Sequence, residues 1–154
     1  METNVTRLLA AKQIPHEIKT YEVDEEDLSA GHVAAAIGFD GARVFKTLVA
    51  LGMDNSVLVF VVPGNCELDL KKAAKASGHK SVALLPLKDL EKMTGYVRGG
   101  CSPVGMKKQF PVFIDETAEL WESISVSAGK RGVQVVLAPT ELAAMTKASI
   151  VDLV

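Results

Sequence analysis

The 154-residue sequence predicts a mixed α+β fold: a curved, barrel-like mixed β-sheet surrounded by helices. Three observations point there. Two β-branched-rich runs, Val44–Leu51 and Ser56–Val62, are joined by Gly52-Met53-Asp54-Asn55, the pattern of an antiparallel hairpin. A second pair, Ile124–Ser127 and Val133–Leu137, flanks the tight turn Gly129-Lys130-Arg131-Gly132. Helical segments are interspersed among the strands, yet the hairpins exclude a simple repeating βαβ order.

Taken in order, Thr3 caps a first helix whose Val5, Leu8 and Leu9 share a face and which ends near Ile14-Pro15. His16–Val23 reads as a strand of mixed polarity. Ser29–Ile37 reads as a short helix, small on one side at Ala34, Ala35 and Ala36 and closed by Gly38. Residues Val57 to Val62 show no polar alternation, so that strand is expected to be covered on both faces. Pro63-Gly64-Asn65 then turns the chain into a lysine-rich helix begun by Asp69 and stopped by Gly78. Ser81–Leu85 is a strand, and Leu87, Leu90 and Met93 mark a helix stopped at Gly95. The stretch from Gly99 to Gly105 is too rich in glycine and proline for regular structure. A strand at Pro111–Ile114 precedes the second hairpin, and Pro139-Thr140 starts a last helix running through Met145.

Length and composition bound the function. The chain is about one domain long, with no linker, low-complexity tract or repeat, so residues 1–154 are treated as one unit. Apolar residues make up 48% and charged residues 23%, which excludes disordered and collagen-like chains. The longest apolar run is far short of the ~18 residues of a membrane span. No export-signal pattern marks Met1–Gln13. Two cysteines, Cys66 and Cys101, make neither a disulfide framework nor a four-cysteine zinc site. A cytoplasmic protein with no membrane partner is the expectation. Net charge is −2, but residues 1–40 hold three basic and eight acidic side chains, including Asp24-Glu25-Glu26-Asp27. General polyanion binding, as to DNA, is therefore not expected, because it rests on many phosphate contacts. Contact with one end of a nucleic acid, or with a phosphorylated small molecule, stays open.

Familiar catalytic patterns are missing: there is no Gly-x-Ser-x-Gly, phosphate loop or dinucleotide fingerprint. His16, His32 and His79 lie on separate elements without metal-ligand spacing, so neither a metal nor another cofactor is expected. Cys101 sits in the glycine-rich loop, where amides can lower a thiol pKa. No base neighbours it in sequence, however, and a small buried cysteine is common. Lys46 lies on the first hairpin strand with Val44, Leu48 and Ala50 on its face. It is either an edge-strand guard against aggregation or a cation held in a cavity, and the pattern alone favours the guard. Gly99 and Gly100 either permit positive φ in a turn or converge their N–H groups on an anion. Lys107-Lys108 and Lys130-Arg131 are solvated charges or phosphate contacts.

Three segments carry a resemblance: Val44-Phe45-Lys46-Thr47-Leu48, the run from Gly95 to Lys108, and Val126-Ser127-Ala128-Gly129-Lys130-Arg131-Gly132. Together with Ile14-Pro15 and Tyr21, and in this order from Leu8 through Leu137, they resemble the YbaK-type aminoacyl-tRNA deacylases. Relatives of that family include the editing domain of bacterial prolyl-tRNA synthetases. The resemblance implies a curved mixed sheet surrounded by helices and hydrolysis in trans of mischarged Cys-tRNA(Pro), with the substrate's own thiol attacking its carbonyl. It implies catalytic roles for Lys46, Gly99 and Gly100, with Lys46 a fixed cation and the two glycine amides lining the carbonyl side. Tyr21, Thr47 and Ser127 are implied to orient the substrate. Lys130 and Arg131 are implied to touch the tRNA acceptor stem. The implied partners are aminoacylated tRNA and prolyl-tRNA synthetase. Gln134 stands where some relatives are acidic and is left out of the site, and the acidic run at 24–27 is expected on the side away from RNA. Alternatives are a deacylase for Ala-tRNA(Pro) or other small aminoacyl groups, a Cys101-dependent thiol enzyme, and a non-catalytic regulatory binding module.

Overall fold

In the computed structural model, which describes Glu2–Val154, local chemistry sets the boundaries of most elements. Thr3 Oγ1 accepts from the Thr6 amide while the Thr6 hydroxyl oxygen accepts from the Thr3 N–H, a reciprocal cap that opens α1 (Asn4–Ala11). After β1 (Glu17–Thr20), Ser29 caps α2 (Ala30–Ile37) by accepting from the His32 amide, and Gly38 ends it. β2 (Phe45–Gly52) and β3 (Val57–Pro63) form the expected hairpin. The Asp69 carboxylate takes the amides of both Lys71 and Lys72 to start α3 (Leu70–Ser77), which Gly78 closes. β4 (Val82–Leu84) follows, then a 3-10 turn at Leu87–Asp89 that runs into α4 (Leu90–Thr94). The second half holds β5 (Val112–Asp115), a 3-10 segment at Glu116–Leu120, β6 (Ile124–Lys130), β7 (Val133–Leu137), α5 (Pro139–Thr146) and β8 (Ser149–Val151).

The strands form two sheets. One has the order β4-β2-β3-β5-β8, antiparallel across β4-β2-β3 and parallel across β3-β5-β8. The other, β1-β7-β6, is antiparallel throughout. A single parallel bridge, Val44 to Ser125, joins them. Arg43 stitches this corner: its carbonyl accepts from the Ser125 amide, and its guanidinium donates to the Ser123 carbonyl and hydroxyl. The expected mixed architecture with helices packed outside is present, as two sheets that meet at this corner and do not close into a barrel.

Every residue of β3 is buried. Val57, Val59 and Val61 pack into a core shared with α1, β5, β6, β7 and α5, whereas Leu58, Phe60 and Val62 face Ala73 and Ala74 of α3. Phe60 stacks on Phe113 at 5.3 Å between ring centroids. Coverage on both faces is what the unbroken apolar run demands. Three features differ from the sequence expectation. The first strand is only four residues long, β6 runs past Ser127 through an irregularity to Lys130, and β8 is an additional strand paired in parallel with β5.

Candidate active site

β2 builds the site because its two sheet neighbours leave a gap. β4 pairs only with Ala50–Gly52, and the Leu85 amide donating to the Val49 carbonyl extends that contact by one step. At the other end Val44 is bridged to Ser125. Between these points Phe45–Leu48 pair with β3 alone. A cavity of about 410 Å³ opens along this flank. Its walls are the capped start of α2, the Leu84–Leu90 segment, the loop around Gly99, and the β6–β7 face that carries Ser127 and Gln134.

Lys46 lines the cavity, half-buried, with Nζ 3.5 Å from the Gly64 carbonyl and no carboxylate paired to it among the described residues. The edge-guard reading favoured by the strand pattern therefore gives way to the cation-in-a-cavity reading. The reason is non-local: α2 and the β6–β7 hairpin roof a flank that would otherwise meet solvent. Lys46 and Arg98 are the only charged side chains in the wall, which contains no Asp, Glu or His. The wall's formal side-chain charge is positive, suited to an anionic group or to charge developing on an oxygen.

Gly99 also lines the cavity, with φ of +82°, a left-handed conformation that glycine adopts at no steric cost. Gly100 is different. Its N–H donates to the Val97 carbonyl at 2.9 Å, and it is not part of the cavity wall. The expected convergence of two glycine amides is thus corrected: closure of the loop uses one of them. A Cβ at Gly100 would lie 3.1 Å from the Arg131 amide nitrogen and 3.3 Å from the Lys130 carbonyl carbon, so this glycine lets the loop press on the β6–β7 turn. Arg131 Nε donates to the Arg98 carbonyl at 2.8 Å and holds the loop there, while Lys130 is exposed. Among the described residues the Gly99 and Cys101 amides, both on wall residues, donate to no protein acceptor and are free to bond a ligand.

Thr47 lines the cavity, with Oγ1 buried and unpartnered. Ser127 lines it as well, its Oγ accepting from the Gly129 amide at 3.1 Å. Tyr21 does not. It lies in a separate shallow depression with His32, ring centroids 6.4 Å apart edge-on, because the chain leaves β1 after Thr20 and packs the ring against α2. Of the acidic run, Asp24 lines the depression that holds Tyr21, and the Asp27 carboxylate accepts from the Ser29 amide, next to Leu28 and Ser29 of the cavity wall.

Burial pushes the Cys101 thiol up to about 12, only partly offset by a hydrogen bond with Thr94. At neutral pH it is a protonated, poorly nucleophilic thiol. Among the described residues no group of three or more His, Cys, Asp or Glu could hold a metal ion, and no helix is long and apolar enough to cross a membrane. Arg98 and Gln134 are wall residues that sequence reasoning passed over. A signal for Gln134 existed: Ser125, Ser127 and Gln134 alternate with apolar residues on two adjacent strands, and Ser127 is cross-strand from Gln134.

Comparison with known proteins agrees with this architecture. The model of the aminoacyl-tRNA editing domain matches residues 25–145. A protein of Enterococcus faecalis named "Putative Cys-tRNA(Pro)/Cys-tRNA(Cys) deacylase EbsC" is 48% identical over 99% of this chain and 93% of its own length. A proline–tRNA ligase of Shouchella clausii is 31% identical over 83% of this chain, a match that occupies 21% of the ligase. A solved structure described as a "putative trans-editing enzyme for prolyl tRNA synthetase" superposes with a TM-score of 0.82 at 23% identity, covering 99% of this chain and 98% of that one. The matched region contains β2 with Lys46, the glycine loop and the β6–β7 hairpin, and the chain belongs to the aminoacyl-tRNA editing domain family.

Proposed function

We propose that the protein is a trans-editing hydrolase that removes cysteine from mischarged Cys-tRNA(Pro), working in the cytoplasm where tRNA is charged. The observation that carries this reading is a cavity with a fixed cation, a free loop amide and no base. Cysteine and proline are close in size, and a small apolar pocket separates such substrates by only ~1–3 kcal/mol per methylene. Synthesis therefore makes errors that a second site must remove. An aminoacyl ester is already activated, so orientation and oxyanion stabilisation suffice.

No activated protein nucleophile faces the ester, since Cys101 is held protonated and no carboxylate or imidazole in the wall serves Thr47 or Ser127, so the substrate thiol attacks its own carbonyl. An S–C bond forms, the ester C–O bond breaks, and the thiol proton leaves with the ribose oxygen. Water then opens the thiolactone to free cysteine. Lys46 holds the developing charge or the phosphate of the terminal adenosine, and the Gly99 amide faces the carbonyl. Thr47 and Ser127 orient the acyl group. The homology to part of a proline–tRNA ligase supports prolyl-tRNA synthetase as the enzyme whose errors are corrected and as a partner.

A deacylation panel tests the reading. With tRNA(Pro) charged with Cys, Ala, Ser or Pro, the cysteinyl ester should be released fastest and the seryl ester much more slowly. Equal rates for Cys and Ser would remove thiol assistance and restore attack by water. Faster release of Ala would transfer the activity to the alanine-directed branch.

A further inference from the structure

We propose that Gln134 is a further substrate-contacting residue, its carboxamide NH2 donating to the acyl carbonyl oxygen of the bound aminoacyl ester. This rests on the ester-hydrolase reading above. Gln134 is 4% exposed on β7, between Val133 and Val135, whose side chains point into the core. Its own side chain turns to the opposite face and lines the cavity.

The orientation of the amide is fixed by its neighbour. Ser125 Oγ donates to Gln134 Oε1 at 2.7 Å, and Ser125 is fully buried. Among the described residues the serine hydroxyl has no other partner, so turning the amide over would strand the hydroxyl proton without an acceptor. Oε1 is therefore committed to Ser125. Nε2 keeps two N–H donors, no group among the described residues accepts from them, and the atom is not enclosed by protein. Its open side is the cavity. Opening onto the cavity with no acceptor among the described residues, Nε2 is a positioned donor available to an acceptor on a bound ligand.

The chemistry of the ligand selects that acceptor. Arg98 and the exposed Leu84 and Leu87 stand at the mouth, while Gln134 lies deep, so the acyl end of a charged tRNA is the part that arrives. Its α-ammonium only donates, and its thiol sulfur is a weak acceptor. The ester carbonyl oxygen is the strong acceptor, and it gains negative charge as the carbonyl is attacked. A neutral amide donor serves it without titrating.

The test pairs Gln134→Leu with Gln134→Glu on Cys-tRNA(Pro), across pH 6 to 8.5. Loss of the donor in Gln134→Leu should lower kcat by about 10²–10³-fold, as for other oxyanion donors, with KM nearly unchanged. Gln134→Glu keeps the Ser125 bond but presents an ionised acceptor, so its rate should recover as pH falls and the carboxyl protonates, a limb absent from the parent. A second measurement is independent of turnover: the Gln134 side-chain 15NH2 signals should shift when 3′-cysteinylamino-3′-deoxyadenosine, a non-hydrolysable amide, is added. Parental kcat in Gln134→Leu, an unchanged pH profile in Gln134→Glu, or unmoved side-chain signals with the amide bound would each overturn the assignment. A parent protein that releases no amino acid from any charged tRNA would instead overturn the hydrolase reading, while the signal shift reports separately on the Gln134 contact.

Discussion

Lys46 and Cys101 line one cavity and show how burial assigns opposite roles to two reactive side chains. Lys46 is half-buried with only a long carbonyl contact, so its charge is available to a ligand. Cys101 is buried to 9% exposure, and desolvation holds its thiol up at about 12. Iodoacetamide at about pH 7.5 should label the half-buried Cys66 and spare Cys101, since the thiolate is the reacting species. Peptide mass spectrometry reads the result, and equal labelling of both would restore the thiol-enzyme alternative. The same shift makes stability depend on pH. Because the folded-state value lies above the ~8.5 of a free thiol, this contribution is whole below ~8.5 and is lost as pH climbs towards about 12. At this scale the sequence was only half legible. Lys46 stood out, but its strand neighbours could not say whether the flank was roofed, because the roof comes from α2 and from a hairpin some eighty residues away. Gln134 looked like a departure from a pattern rather than a wall residue, since its partner Ser125 is identified only by pairing across two strands.

Among the elements, α2 is placed by a close approach. A Cβ on Gly64 would lie 2.2 Å from the Ala30 Cβ and 2.9 Å from the Val44 carbonyl oxygen. Gly64→Ala must therefore push the capped end of α2 off the β2–β3 hairpin, at a cost of ~1–3 kcal/mol as in other overpacked sites. Chemical denaturation measures that destabilisation. The cavity wall at Ser29 and Ala30 moves with it, so KM for the charged tRNA should rise as well; unaltered stability and KM would show that α2 is not held this way. Elements with local determinants were legible. Thr3, Ser29 and Asp69 cap helices where their side chains predict, and the Gly52–Asn55 turn joins β2 to β3 as expected. β8 was not legible, because Ser149–Val151 is too short to show a period and owes its existence to parallel pairing with β5.

For the whole molecule, two sheets that meet at Val44 and Ser125 create a cleft whose rim carries opposite charges. Arg98, with Arg131 behind it, stands on one side, and the 24–27 acidic run precedes Leu28 and Ser29 on the other. A tRNA acceptor end is expected to enter from the Arg98 side, because acidic groups repel phosphates. Arg98→Ala should raise KM for charged tRNA and flatten the dependence of log affinity on log salt by about 0.7–0.9 for each phosphate that Arg98 neutralises. An unchanged salt slope would remove Arg98 from the RNA interface. Composition had already signalled the charge asymmetry, but the position of the acidic run depended on the path into α2 and could not be read from the numbers of charges.

The most direct test of the central claim is the rate of Cys-tRNA(Pro) deacylation by Lys46→Ala, measured beside its melting temperature. Loss of the cation from the cavity should lower the rate by at least ~10²-fold, the scale of removing one preorganised electrostatic contact. The melting temperature should stay close to that of the parent, because no ion pair is broken. Hydrolysis at the parental rate by a folded Lys46→Ala protein would contradict the account.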